Sequence, residues 1–494
     1  MYLGIDLGTS GVKLVLFEAS QRIVALADAP LAVSRPQPLW SEQDPQDWWR
    51  ALEQAMAQLR ATQPAALSAV QAIGLSGQMH GAVVLDGRQR VLRPAILWND
   101  GRAFAECAEL ELREPRARAI TGNLAMPGFT APKLLWLRRH EPEVFAQVRT
   151  VLLPKDWLRL QLTGEAASDM SDASGTLWLD VGARRWSEPM LAATGLGLQH
   201  MPRLVEGSAP CGELRSVLAQ AWGLPAGVVL AGGAGDNAAS AVGVGAVKAG
   251  QGFVSLGTSG VIFLVTDTFR PAPAQAVHAF AHAVPGRWHQ MSVMLSAASA
   301  LAWAARLTGQ AAEAALVAQA AQLPLQRRAR APLFLPYLSG ERTPHNNPRA
   351  SGVFAGLLQD HDRDDIGYAV MEGVGFGLKD GLAAMQGDRP ASSELALVGG
   401  GARSDFWAQL LASSLGCRLR RPSDAPAAAA KGAARLAWLA SGGGESRVCA
   451  VPAEGRTFAP DEREANLLRP RYERFRALYP ALAKEFAATA GIES

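Results

Sequence analysis

The pentapeptide Leu7-Gly8-Thr9-Ser10-Gly11 recurs letter for letter as Leu256-Gly257-Thr258-Ser259-Gly260, about 250 residues further on, each copy set between two short apolar runs. Short apolar runs joined by a glycine-rich break read as strand, turn and strand. Two copies of one such element in one chain imply duplicated lobes. A hairpin turn that needs positive φ would by itself account for either copy, whereas the matching flanks point to a shared task.

Outward from the first copy, residues 2–7, 12–17 and 23–27 form a β-meander, and residues 43–61 place Trp48, Trp49, Leu52, Met56 and Leu59 at helical spacing behind the acidic Glu42, Asp44 and Asp47. Two strand–glycine–helix junctions follow: residues 228–231 run into Gly232-Gly233-Ala234-Gly235-Asp236-Asn237, and residues 395–398 run into Gly399-Gly400-Gly401-Ala402-Arg403-Ser404 and a helix over 405–415. Alternating strands and helices define an α/β chain. The division is expected near residue 245, giving lobes 1–245 and 246–494, with 422–430 a loop before a last pair of helices.

A chain of 494 residues exceeds one ordinary core, and its 49% hydrophobic and 19% charged composition is that of a folded protein. A net charge of +3 from 48 basic and 45 acidic residues creates no field of one sign, so neither nucleic acid nor an anionic membrane is an expected partner. Cys107, Cys211, Cys417 and Cys449 are far apart, which fits neither a disulfide framework nor a zinc site and suits a reducing cytoplasm. The opening Met1-Tyr2-Leu3-Gly4-Ile5-Asp6 reads as a strand and not a signal peptide, and no apolar run reaches membrane-spanning length.

Glycine turns at strand ends let several backbone N–H groups converge on an anion, and phosphate is the obvious one. Neither G-x-x-x-x-G-K-[ST] nor a dinucleotide fingerprint after the opening strand is present. Phosphoryl transfer needs the polyphosphate held, the acceptor in line and a carboxylate to take the hydroxyl proton. Asp6 and Asp236 are the carboxylates beside these turns. Asp236 could equally be a helix N-cap, and 399–404 could be a tight turn alone. His80, in Gly77-Gln78-Met79-His80-Gly81 after a strand over 72–75, could be an acid–base group, a hydrogen-bonding contact or a structural histidine.

These residues resemble the FGGY carbohydrate kinases, of the ATPase superfamily shared with actin, hexokinase and heat-shock chaperones. The run Asp6-Leu7-Gly8-Thr9-Ser10-Gly11-Val12-Lys13 resembles the first phosphate motif, 255–260 the second and 399–404 the adenosine motif. Phe129-Thr130-Ala131-Pro132-Lys133-Leu134-Leu135-Trp136-Leu137 is similar to the first family signature, and Glu372-Gly373-Val374-Gly375-Phe376 lies where the second belongs. Further runs narrow the resemblance to members acting on D-xylulose: Pro38-Leu39-Trp40-Ser41-Glu42-Gln43-Asp44-Pro45, Trp98-Asn99-Asp100-Gly101-Arg102, Leu153-Pro154-Lys155-Asp156, Ser168-Asp169-Met170-Ser171-Asp172 and residues 336–345.

The resemblance implies a two-lobed, actin-like (ribonuclease H-like) α/β ATPase fold with a cleft between duplicated lobes. ATP is the implied co-substrate and Mg²⁺ its metal, and D-xylulose is the acceptor, with L-ribulose, gluconate and glycerol as alternatives. Asp236 is then the catalytic base, and Asp6 helps to place Mg²⁺ and the reacting hydroxyl. Met79, His80, Asn237, Trp98 and Asp100 lie at the sugar. Gly8, Thr9, Ser10 and Lys13, with Gly257, Thr258 and Ser259, hold phosphates, and Gly400, Gly401, Ala402 and Arg403 meet the adenosine. Lys431 departs from the family's apolar residue in the A-[LI]-G-A-A stretch and bears on the nucleotide contacts. An actin-like switch and a sugar sensor are the competing classes, and a homodimer is the candidate assembly.

Overall fold

The computed structural model describes residues 1–386, 392–452 and 454–488. The first half builds a sheet from β1 (Tyr2–Leu7), β2 (Gly11–Phe17), β3 (Ile23–Pro30), β4 (Ala72–Gly77), β5 (Pro210–Glu213) and β6 (Val229–Ala231), in the order β5-β6-β4-β1-β2-β3. The two-residue β7 (Ala234–Gly235) pairs with the end of β4. The second half builds β8 (Gly252–Leu256), β9 (Gly260–Thr266), β10 (His278–Ala281), β11 (Trp288–Met294), β12 (Glu394–Val398), β13 (Arg418–Pro422) and β14 (Gly455–Phe458), in the order β10-β11-β9-β8-β12-β13-β14.

Laid over one another, β3-β2-β1-β4-β6-β5 and β11-β9-β8-β12-β13-β14 have the same order and the same senses. Each opens with an antiparallel hairpin and adds a parallel strand beside its first member. The repeated pentapeptide is therefore the visible remnant of a duplicated sheet, whose outer strands alone enter it differently along the chain: β5 precedes β6, and β14 follows β13. At the matching position before each turn, Asp6 stands where the second half has Ser255, and both are half-buried.

Helix α1 (Pro45–Thr62) starts where Asp44 accepts the Gln46 N–H at 2.9 Å, and it turns Trp48, Leu52, Met56 and Leu59 inward. Helices α2 (Asp236–Val244) and α3 (Ala428–Ala440) lie between the two sheets. There, helix and strand touch backbone to backbone. A Cβ on Gly4 would fall 1.9 Å from the Ala430 carbonyl oxygen, and one on Gly74 would fall 1.9 Å from that of Ala433. The helices cross in the same way, with Gly243 against Ala428 and Gly432 against Ala239. Thus α3, near the end of the chain, seats on the sheet that begins it. One core lies under each sheet and a third between them.

The loop expected at 422–430 is shorter in the structure. Pro422 closes β13, a single 3₁₀ turn spans Ala425–Ala427, and α3 begins at Ala428, because an alanine run favours helix as soon as the prolines are passed. Asp236 is the first helical residue of α2 and not its N-cap, which is Gly235. No helix among the described residues is long and apolar enough to cross a membrane.

Candidate active site

Parallel pairing brings the two sequence-selected carboxylates together. Asp6 on β1 is opposite Ser76 on β4, Ser76 is opposite Ala234 on β7, and Asp236 follows two residues later. The Ser76 hydroxyl donates to Asp6 Oδ1 at 2.8 Å. Asp236 Oδ1 accepts the Asn237 N–H at 2.7 Å and its side-chain amide at 3.0 Å, and Oδ2 has no hydrogen-bond partner among the described residues. Burial, and then the charge of Asp6, push the Asp236 carboxyl up to about 7. Asp6 is raised too, by burial, against the opposing pull of Ser76 and Lys13. Two carboxylates facing one space, each resisting ionisation, suit a site that takes up a proton or a cation.

A pH dependence follows from that shift. A base must be ionised to accept a proton, and a raised pKa means that the folded protein gives up the proton only above about 7. The kcat/KM for the acceptor should therefore rise about tenfold per pH unit below that point and level off above it. Initial rates from about pH 5.5 to 9 check this; a flat profile down to the acid end of that range, where an ordinary aspartate with a pKa near 4 is already ionised, would mean that Asp236 is not the limiting base.

Met79 and His80 follow β4. Met79 is buried against Gly235, the residue before Asp236, where an added Cβ would fall 2.8 Å from its Cγ. The His80 ring binds the Gly175 carbonyl through Nδ1 at 2.7 Å and packs edge-on against Phe129 at 4.7 Å. Burial is the main force taking its pKa down to about 3, so the imidazole is neutral and Nε2 is a hydrogen-bond acceptor. Trp98 is exposed and donates through Nε1 to Thr9 Oγ1 at 2.9 Å, joining its loop to the first glycine turn. Asp100 is buried with both oxygens engaged, one on the Ser41 N–H at 2.6 Å and both on Arg102, whose guanidinium stacks 3.6 Å over Trp40. Its contacts are those of a brace for the 97–102 loop.

Reading by sequence passed over a group behind Asp236. Lys155 sits with no exposure among Asp156, Asp169 and Asp172, at 2.5, 2.7 and 3.1 Å. Ser171 donates to Asp169 at 2.5 Å and receives the Gly235 N–H at 3.2 Å, so the group ends on the residue before Asp236. The three carboxylates could gather a metal, but the Lys155 ammonium already occupies their centre. Four charges in two short stretches, 153–156 and 168–172, were the signal available.

The nucleotide-side residues lie at the carboxyl ends of β8 and β12, which pair Ser255 with Val398. The second glycine turn, Gly257 to Ser259, closes on itself at 3.1 Å and is steadied by the Ala297 and Ala298 N–H groups on Thr258 and Gly257. Gly399 has φ +94° and its Cβ position is 2.6 Å from the Leu256 carbonyl oxygen, so only glycine fits there beside the second turn. Gly400 faces open space in a cavity of about 500 Å³ whose lining includes Ala402, Arg403, Arg421 and Pro426. Gly401 packs on Leu256 instead. From the other half, Lys13 donates to the Pro426 carbonyl at 2.9 Å, which links the turn of Gly8, Thr9 and Ser10 to this cavity. Lys431 points elsewhere: it is buried, pairs with Asp424, and lines a different depression with Gln21 and Arg435.

Two glycine turns, a carboxylate pair and a nucleotide-sized cavity together describe a phosphotransferase cleft. Family models agree along the chain: the N-terminal domain of the FGGY family of carbohydrate kinases matches residues 1–243, and its C-terminal domain matches 252–441. The chain belongs to this family of kinases, with the two-lobed actin-like fold. Among its relatives, the xylulose kinase of Escherichia coli (strain K12) is 53% identical over 484 residues, covering 98% of this chain and 99% of that one. That of Bacillus subtilis (strain 168) is 33% identical, covering 97% and 96%. A crystal structure described as a "xyloylose kinase" from Brucella ovis superposes with a TM-score of 0.94 at 51% identity, covering 98% of this chain and 99% of that one.

Proposed function

We propose that this chain transfers the γ-phosphoryl group of ATP to D-xylulose, yielding D-xylulose 5-phosphate. The observation that carries the reading is the pair Asp6 and Asp236, set at the carboxyl ends of β1 and β7, which flank β4 and its Ser76. Identity of 53% along nearly the whole chain to a curated xylulose kinase supports the choice of sugar.

In this reading the lobe of residues 1–245 holds the sugar between Met79, His80, Trp98 and Asn237, and the lobe of 246–494 holds ATP at Gly257 to Ser259 and Gly400 to Arg403. Asp236 Oδ2 takes the proton from the attacking hydroxyl, while Asn237 and Met79 keep the carboxylate in place. Lys13, between Asp6 and the nucleotide cavity, offsets charge near the polyphosphate. Asp6 is an oxygen donor of the kind Mg²⁺ takes, and with ATP bound that ion would neutralise charge on the transferring group. Fixing acceptor and donor in line contributes on the order of 7 kcal/mol to lowering the barrier in favourable cases. The cytoplasm is the compartment we assign; four unpaired cysteines support it.

The test is ADP release with Mg-ATP across D-xylulose, D-ribulose, L-ribulose, L-xylulose, gluconate, glycerol and no sugar. A D-xylulose rate at least about tenfold above the others is expected, equivalent to about 1.4 kcal/mol of discrimination. A higher rate with another acceptor would replace the substrate and keep the kinase.

A further inference from the structure

The sugar side of the cleft has a wall from the second half. The Phe129 ring, 4.7 Å from His80, is also 5.4 Å from His278 on β10 and 6.2 Å from Phe280. His278 Nε2 meets a guanidinium nitrogen of Arg342 at 3.4 Å. Arg342 thus stands across from His80, on the opposite half, and its charge is felt at His80.

Its loop is rigid on both sides. Glu341 is buried and accepts the Leu295 and Arg342 N–H groups, at 3.1 and 2.7 Å. Thr343 is buried, donates to the Ala276 carbonyl at 2.9 Å and receives the Val293 N–H at 3.1 Å. Between these anchors the Arg342 side chain makes no ion pair among the described residues, and its one side-chain hydrogen bond there is the long one to His278. Burial holds Glu341 up at about 8, so the adjacent carboxyl is largely uncharged at neutral pH. A half-buried guanidinium held on a rigid loop, whose one side-chain hydrogen bond among the described residues goes to a neutral imidazole, has most of its N–H donors left for a ligand.

We infer that Arg342 is a specificity-determining residue for the acceptor, donating hydrogen bonds from the second half to the oxygens of the ketose at the end remote from Asp236. This rests on the placement of the sugar between Asp236 and His80 given above. A planar fork of N–H donors suits the neighbouring oxygens of a polyhydroxy ketone.

The test is calorimetric titration of the full chain and its Arg342→Met and Arg342→Lys variants with D-xylulose and, separately, with Mg-ADP, alongside steady-state kinetics. Expected for Arg342→Met are D-xylulose affinity weakened at least tenfold, KM raised to match, kcat within about threefold, and Mg-ADP affinity within twofold. Arg342→Lys should fall between it and the wild type, and it replaces the methionine variant if that one does not fold. Unchanged D-xylulose affinity overturns the assignment, as does parallel weakening of both ligands. If the unaltered protein binds another acceptor of the panel and not D-xylulose, the substrate reading fails and the same titrations run with that acceptor. If it binds no sugar, both readings fall.

Discussion

Asp236→Asn is expected to lower kcat about 1000-fold, within the range of roughly 10²–10⁴ for removal of a well-placed general base. Asparagine keeps the size of the side chain and its bonding to Asn237, so packing in α2 is undisturbed. What disappears is the proton acceptor at Oδ2, together with the repulsion from Asp6 that helps to tune it. Circular dichroism and Mg-ADP affinity should match those of the wild type, which separates lost chemistry from lost structure. A variant with kcat within tenfold of the parent would remove Asp236 from the role of base.

The second large effect concerns stability. In Gly74→Ala the new methyl would lie 1.9 Å from the Ala433 carbonyl oxygen, a backbone atom with no rotamer to give way. Overpacking costs about 1–3 kcal/mol where side chains can adjust, so here the expected loss is about 3 kcal/mol, or roughly 6–12 °C in the thermal midpoint of a lobe this size. The control is Gly400→Ala, whose Cβ position has no atom within 4 Å, and its midpoint should shift by less than about 2 °C. Equal midpoints for the two variants would mean that α3 does not seat on the first sheet as described.

The sequence carried the duplication only at its turn, because the turn is where chemistry restricts residue choice; strands such as β6 and β13 share order and sense without sharing letters. Asp6 and Asp236 were legible for the same reason: an acidic residue beside a glycine run at a strand end is rare unless something there uses its charge. Lys155, with its three aspartates, was harder to see, since its meaning depends on four side chains meeting from two separate stretches. His278 and Arg342 were invisible, because their relation to His80 arises only when the two halves come together. The brace of Asp100 on Arg102 was written two residues apart, yet resemblance drew attention to the loop as a sugar contact and away from the ion pair inside it.

The exchange of Asp6 for Ser255 at equivalent positions gives the cleft a polarity. In the proposed reading both turns meet one polyphosphate, which carries several negative charges, and they meet it unequally. The turn behind a carboxylate can bring a cation to those charges, and the turn behind a neutral hydroxyl can offer only hydrogen bonds. Two copies of one unit have thereby come to divide the handling of a single ligand between them.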